Sequence, residues 1–150
     1  MATVEKRGPK VTETEIGKIE ARVGAPLPSD YRRFLLQSNG GVPTPDVIDV
    51  EGLPGSPTDV QVFFGIGRSV ESSCLEWNMA TLAGRLEAGL LPIACDSGGN
   101  VFCLSLRQPE LGSVLYCDLQ AVFGDLKASP ELFHVSSSFR SFMDKLRELD

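Results

Sequence analysis

Apolar positions along the chain change their period several times, and each change marks an element. Ile16, Ile19 and Val23 recur at helical spacing behind Thr12-Glu13-Thr14-Glu15. That tetrad is a capping-box pattern, with Thr12 as the cap and Glu15 reaching back to it. Gly24 stands where a left-handed C-terminal residue is wanted. The pattern predicts a helix over 13–23. Pro26 and Pro28 forbid its continuation and set an extended approach. A second helix opens at Pro28 or Ser29. Tyr31, Phe34 and Leu35 share its inner side, with Ser38 at the margin. Asn39-Gly40-Gly41 ends it with residues that tolerate positive φ.

The segment 42–58 holds Pro43, Pro45, Gly52, Pro54, Gly55 and Pro57, so it reads as loop with one short strand at Val47–Val50. Asp59–Ile66, "DVQVFFGI", is β-branched and aromatic and predicts a strand. Leu75, Met79, Leu82 and Leu86 fall on one face of a helix over about 70–86, with Trp77 and Asn78 partly off that stripe. The run "LLPIACDSGGNVFCLSL" predicts a strand at 90–95, a turn, and a strand at 101–106. Gly112–Leu119 is the next strand. "FGDLKASPELF" reads as irregular with one helical turn. The closing "SSSFRSFMDKLREL" sets Phe139, Phe142, Met143, Leu146 and Leu149 as a helical stripe behind a serine cap.

The late strands are joined by tight loops and so pair antiparallel. The class is α+β: a single domain with a mostly antiparallel sheet of about five or six strands. An N-terminal helical hairpin, a middle helix and a C-terminal helix pack on it. Residues 1–11 are expected as a flexible tail and 12–150 as the domain.

Composition narrows the function. The chain has 150 residues, 42% of them hydrophobic, enough for one core without metal or disulfide staples. The formal charge is −6, and no basic stripe offers itself to phosphates, so nucleic acid is not the expected partner. The four cysteines, Cys74, Cys95, Cys103 and Cys117, contain no C-x-x-C, and His134 is the single histidine. A zinc site needs about four ligands, typically paired in sequence, so no metal and no cofactor is expected. The start has no apolar signal-peptide core, and no apolar run reaches membrane-span length. Cytoplasmic residence with free, mostly buried thiols is the expectation, without a membrane partner.

The polar hexad Cys95-Asp96-Ser97-Gly98-Gly99-Asn100 invites chemistry. Cys95 could pair with His134, oriented by Asp96 or Asp118. Cysteine on a strand, however, is usually a small buried hydrophobe. Ser97 lacks the G-x-S-x-G context and the following helix of a nucleophile elbow. Gly98-Gly99 has no G-K-[ST] and no helix behind it. Gly65-Ile66-Gly67 is half a dinucleotide fingerprint, with Val70 where the third glycine belongs. Asp96 and Asp118 could meet as acid and base, but Asp at a turn commonly binds backbone amides. The hairpin reading fits all six residues. With Gly98-Gly99 as a two-residue turn, Cys95 faces Phe102. One residue of difference puts it opposite Cys103.

"LPSDYRRFLLQSNGGVP" resembles the first motif of the SUKH superfamily, named for bacterial immunity proteins and fungal cell-wall regulators. "LLPIACDSGGNVFCLSL" followed by "GSVLYCDL" resembles its second block, in the same order and spacing. Many members carry an aromatic, often Trp, immediately before the acid that is Asp118 here, where Tyr116-Cys117 stands instead. The resemblance implies an α+β binding protein that is not an enzyme. It implies an immunity protein that binds and neutralises a cognate toxin domain, such as a nuclease or deaminase, of a polymorphic or contact-dependent system. The alternative it implies is an interaction module in cell-wall or regulatory assembly without a toxin partner. Its motif residues, Leu27, Pro28, Tyr31, Phe34, Leu35, Asn39, Gly40, Gly41, Pro92, Asp96, Gly98 and Gly99, are implied to be structural. A nuclease site is cationic, so an acidic surface is steered to it. The expected partner-binding residues are Asp46, Asp49, Glu51, Asp59, Glu71 and Glu76, facing a toxin with a basic surface.

Overall fold

The computed structural model describes residues 2–119 and 130–150. Strand β1 (Thr3–Glu5) is followed by helices α1 (Glu13–Val23) and α2 (Ser29–Gln37). Thr12 caps α1 through the expected box, and Gly24 closes it at φ +76°. Glu20 clasps the two helices together. Its carboxylate accepts the Leu27 amide at 2.7 Å and the Arg32 guanidinium at 2.9 Å. The Leu27 bond foremost, then Arg32, hold the Glu20 carboxyl below its ordinary value.

Short strands follow: β2 (Val42–Thr44), β3 (Val47–Ile48), β4 (Thr58–Asp59) and β5 (Val62–Phe63). The tail expected to be flexible contributes β1, which pairs antiparallel with β2. The strand expected over 59–66 is two pieces, because its ends join different sheets. β4 pairs with β3, whereas β5 pairs with β6 (Leu90–Cys95). The helix expected over 70–86 is cut at both ends. Cys74 is extended, separating a 3-10 turn at Glu71–Ser73 from α3 (Leu75–Thr81). Gly84 at φ +81° keeps the chain from resuming the helix.

Strands β6, β7 (Val101–Ser105), β8 (Val114–Asp118) and β9 (Glu131–Ser136) complete a five-stranded antiparallel sheet in the order β5-β6-β7-β8-β9. Residues 131–133, expected as irregular, belong to β9. Pro130 precedes that strand, and the remainder of the segment, 123–129, lies outside the described residues. β7 is buried throughout and β8 nearly so, which is why neither alternates cleanly. The hairpin loop spans 96–100, so Cys95 faces Val101, and a bulge at Ile93 puts Cys103 opposite Pro92. Both expected registers are therefore corrected. The loop is longer than a two-residue turn because Asp96 N–H bonds Asn100 O and ends the ladder there.

Helix α4 (Phe139–Lys145) closes the chain. It stops before the sequence stripe does, because Leu146 turns extended and Arg147 exchanges backbone bonds with Val47. Leu149 is therefore 70% exposed instead of joining the core. One sheet face is sealed by rings from α2 and α4. Phe34 lies 4.9 Å from Phe139 and 5.1 Å from Phe63, and Phe142 lies 5.3 Å from Phe102, mostly edge-on.

Candidate functional site

Asn39 is the hub of the first motif. It is buried and held at φ +48°. Its side-chain amide donates to Pro9 O at 2.9 Å and Ile66 O at 2.7 Å, while its Oδ1 accepts Ile66 N–H at 2.7 Å. Arg68 donates to its carbonyl at 3.2 Å. Gly65 is needed because the Asn39 carbonyl would lie 2.0 Å from any Cβ there. The half-fingerprint Gly65-Ile66-Gly67 is thus the dock for Asn39, and its amide and carbonyl at Ile66 are spent on that side chain.

Asp96 is the hub of the second. It is buried, and all its accepting capacity is filled. Oδ1 takes the Gly98 amide at 3.0 Å and the Asn100 amide at 2.8 Å. Oδ2 takes the Thr58 hydroxyl at 2.9 Å and the Tyr116 hydroxyl at 2.6 Å. Burial first, and the Asp96 bond second, push the Tyr116 phenol up. Asn100 Oδ1 in turn accepts the Leu119 amide at 2.9 Å. This carboxylate binds the hairpin loop to β4 and β8.

The candidate catalytic pairs do not assemble. Cys95 and His134 sit on strands with β7 and β8 between them, about 14 Å apart at ordinary strand spacing. Burial pushes the Cys95 thiol up to about 11, helped by Asp96, so it is a poor thiolate. Ser97 Oγ donates to the Asp59 carboxylate, and the Ser97 amide bonds it at 2.9 Å. Asp118 faces Glu131 across β8 and β9. Cys103 and Cys117 are buried with sulfurs 3.2 Å apart, both as free thiols. Among the described residues no group of three or more His, Cys, Asp or Glu is placed to hold a metal ion, and no helix is long and apolar enough to cross a membrane.

Of the other motif residues, Leu27, Tyr31, Phe34 and Leu35 are core. Pro28 precedes α2 as its N-cap, and Pro92 is buried within β6. Gly40 and Gly41 take φ +87° and +130° under tight backbone contact, while Gly99 takes φ +88° in open space.

Both motif blocks are thus built as turn chemistry, in order, on one α+β frame, and a family model spans them. The SMI1/KNR4 family (SUKH-1) matches residues 10–145. The chain belongs to that family. It is also 27% identical over 149 residues to the "SPbeta prophage-derived uncharacterized protein YokK" of Bacillus subtilis (strain 168), covering 90% of this chain and 74% of that protein.

The six acidic residues fall into three places on this SUKH-1 frame. Asp46 precedes β3, and Asp59 ends β4 opposite Val47. Asp49 and Glu51 lie past β3, beside Lys145 and His134. Asp49 is held there by Arg147 in a two-pronged bond at 2.7 and 2.9 Å, which lowers its carboxyl. Glu71 is exposed on the 3-10 turn and Glu76 is half-buried on α3. The pattern in the sequence missed Trp77, which is 37% exposed on α3. Its position off the apolar stripe was the available signal.

Proposed function

We propose that this chain is an immunity protein, acting by binding, that neutralises a cognate toxin domain of a bacterial polymorphic or contact-dependent system. Membership of the SUKH-1 family carries the reading. The expenditure of the polar motif atoms on turns and inter-strand ties supports it. Asp96 has no accepting capacity left for a substrate, and both Asn39 amide hydrogens are spent on backbone carbonyls. A relative described as prophage-derived is in keeping with a role beside mobile elements. The toxin, a nuclease or deaminase, presents a basic surface, and the place of action is the cytoplasm. Asp46, Asp49, Glu51, Asp59, Glu71 and Glu76 supply the steering field. Its effect is on association rate more than on final affinity.

The test is co-expression with the toxin encoded beside this chain, followed by binding of the purified pair. Rescue of growth and a salt-sensitive association rate are the expected results. Asp46→Lys with Glu51→Lys is the informative variant, since reversal at Asp49 would also break the Arg147 pair. An unchanged on-rate and salt slope would remove these acids from the mechanism. Failure to rescue, with a host protein bound instead, would favour a regulatory module.

A further inference from the structure

A groove of about 530 Å³ lies between α3 and the sheet face opposite the aromatic core. The strand register sets its floor: Val62 on β5, Cys95 on β6 and Val101 on β7 stand directly abreast. Leu119, just past β8, continues it. Trp77 and Thr81, one helical turn apart, form the wall. The opposite face is closed by rings, but here Val62 and Cys95 remain half-buried and Trp77 lies open.

The polar side chains of the groove are poorly placed to orient a small ligand. Gln61 Oε1 accepts the Cys95 thiol at 3.6 Å. Asn78 Nδ2 is spent on Ser72 O and Cys74 O at 3.1 and 2.9 Å. An open apolar trough with an exposed tryptophan fits a protein side chain better. The charged residues nearest its lining along the chain have one sign. Every charged residue within two positions of a lining residue is acidic: Asp59, Glu71, Glu76, Asp96 and Asp118. Asp96 is buried, and Asp118, next to Cys117 in β8, alternates to the other sheet face, which leaves Asp59, Glu71 and Glu76 exposed or half-buried beside the groove lining.

We propose that this groove is the toxin-docking surface, taking an apolar side chain that the toxin presents between lysine or arginine residues. The proposal rests on the immunity reading above. Trp77 and Val62 clamp the apolar group, and the acidic rim meets its basic neighbours.

Trp77 is the single tryptophan of the chain, so 5-fluorotryptophan labelling gives one ¹⁹F resonance that reports on the groove. The labelled protein is titrated with the toxin domain encoded beside this chain, and affinities are measured for variants. The resonance should shift on saturation. Trp77→Ala should weaken binding roughly 30-fold or more, as a central aromatic anchor does. Thr81→Lys, an exposed change that leaves the core intact, should weaken it about tenfold, chiefly through slower association at low salt. Leu111→Ala, 49% exposed on the β7–β8 turn, should bind as the parent does. An unmoved resonance with parental affinity in both groove variants would overturn the proposal while leaving the immunity reading intact. A parent chain that does not bind the toxin overturns both, and that result appears before any variant is made.

Discussion

Asn39-Gly40-Gly41 and Asp96-Ser97-Gly98-Gly99-Asn100 each join a buried polar anchor to a glycine pair. In the first, backbone crowding demands the glycines. A Cβ on Gly40 would lie 2.6 Å from Phe63 O, and one on Gly41 would lie 2.5 Å from Glu5 O. Four stretches of chain converge there: the N-terminal segment, the end of α2, β5 and the loop after it. In the second, nothing crowds. A Cβ on Gly98 would meet nothing nearer than 3.5 Å, and Gly99 needs only its positive φ. The same two letters thus serve a close approach in one turn and a free loop in the other. What binds the second turn is the carboxylate of Asp96, reaching out to Thr58 on β4 and Tyr116 on β8.

That difference breaks or holds on mutation. Gly65→Ala should have the largest effect, on the order of 4 kcal/mol or loss of folded protein, because its Cβ would overlap the Asn39 carbonyl. A denaturant melt close to that of the parent would show that the first turn can relax. Asp96→Ala should cost about 3 kcal/mol, since it leaves the Tyr116 hydroxyl and two loop amides without their acceptor. If thermal unfolding hardly changes, the second turn is held by something other than this side chain.

Smaller changes sharpen the contrast. Gly99→Ala should cost about 1 kcal/mol for its left-handed backbone. Gly98→Ala should be near neutral, where the equivalent change at Gly40 is not. Equal melting points for the Gly40 and Gly98 variants would erase the distinction drawn between the turns. The least effect on stability belongs to Cys95, next to the second turn. Its thiol, raised to about 11, should alkylate slowly near neutrality, with a rate rising about tenfold per pH unit over roughly pH 8 to 10. A plateau below pH 9, followed by mass spectrometry, would contradict that environment.

Local patterns determined much of this protein. The α1 capping box, the proline break, the α2 terminus, the late antiparallel strands and the serine cap of α4 all depend on neighbours within a few positions, so spacing in the sequence reveals them. The SUKH motifs are legible for the same reason, being turn chemistry. Tertiary structure alone decided where the elements stop and join. Asp59–Ile66 had strand composition throughout, but its two ends found different partners. The α4 stripe continued to Leu149, but Arg147 gained backbone bonds to Val47 and the helix ended. β1 and β9 were invisible because a strand exists only with a neighbour, and β1 finds its neighbour, β2, some forty residues away. The docking groove is of this kind too: strand register lines Val62, Cys95 and Val101 abreast, and no spacing along one chain could show that.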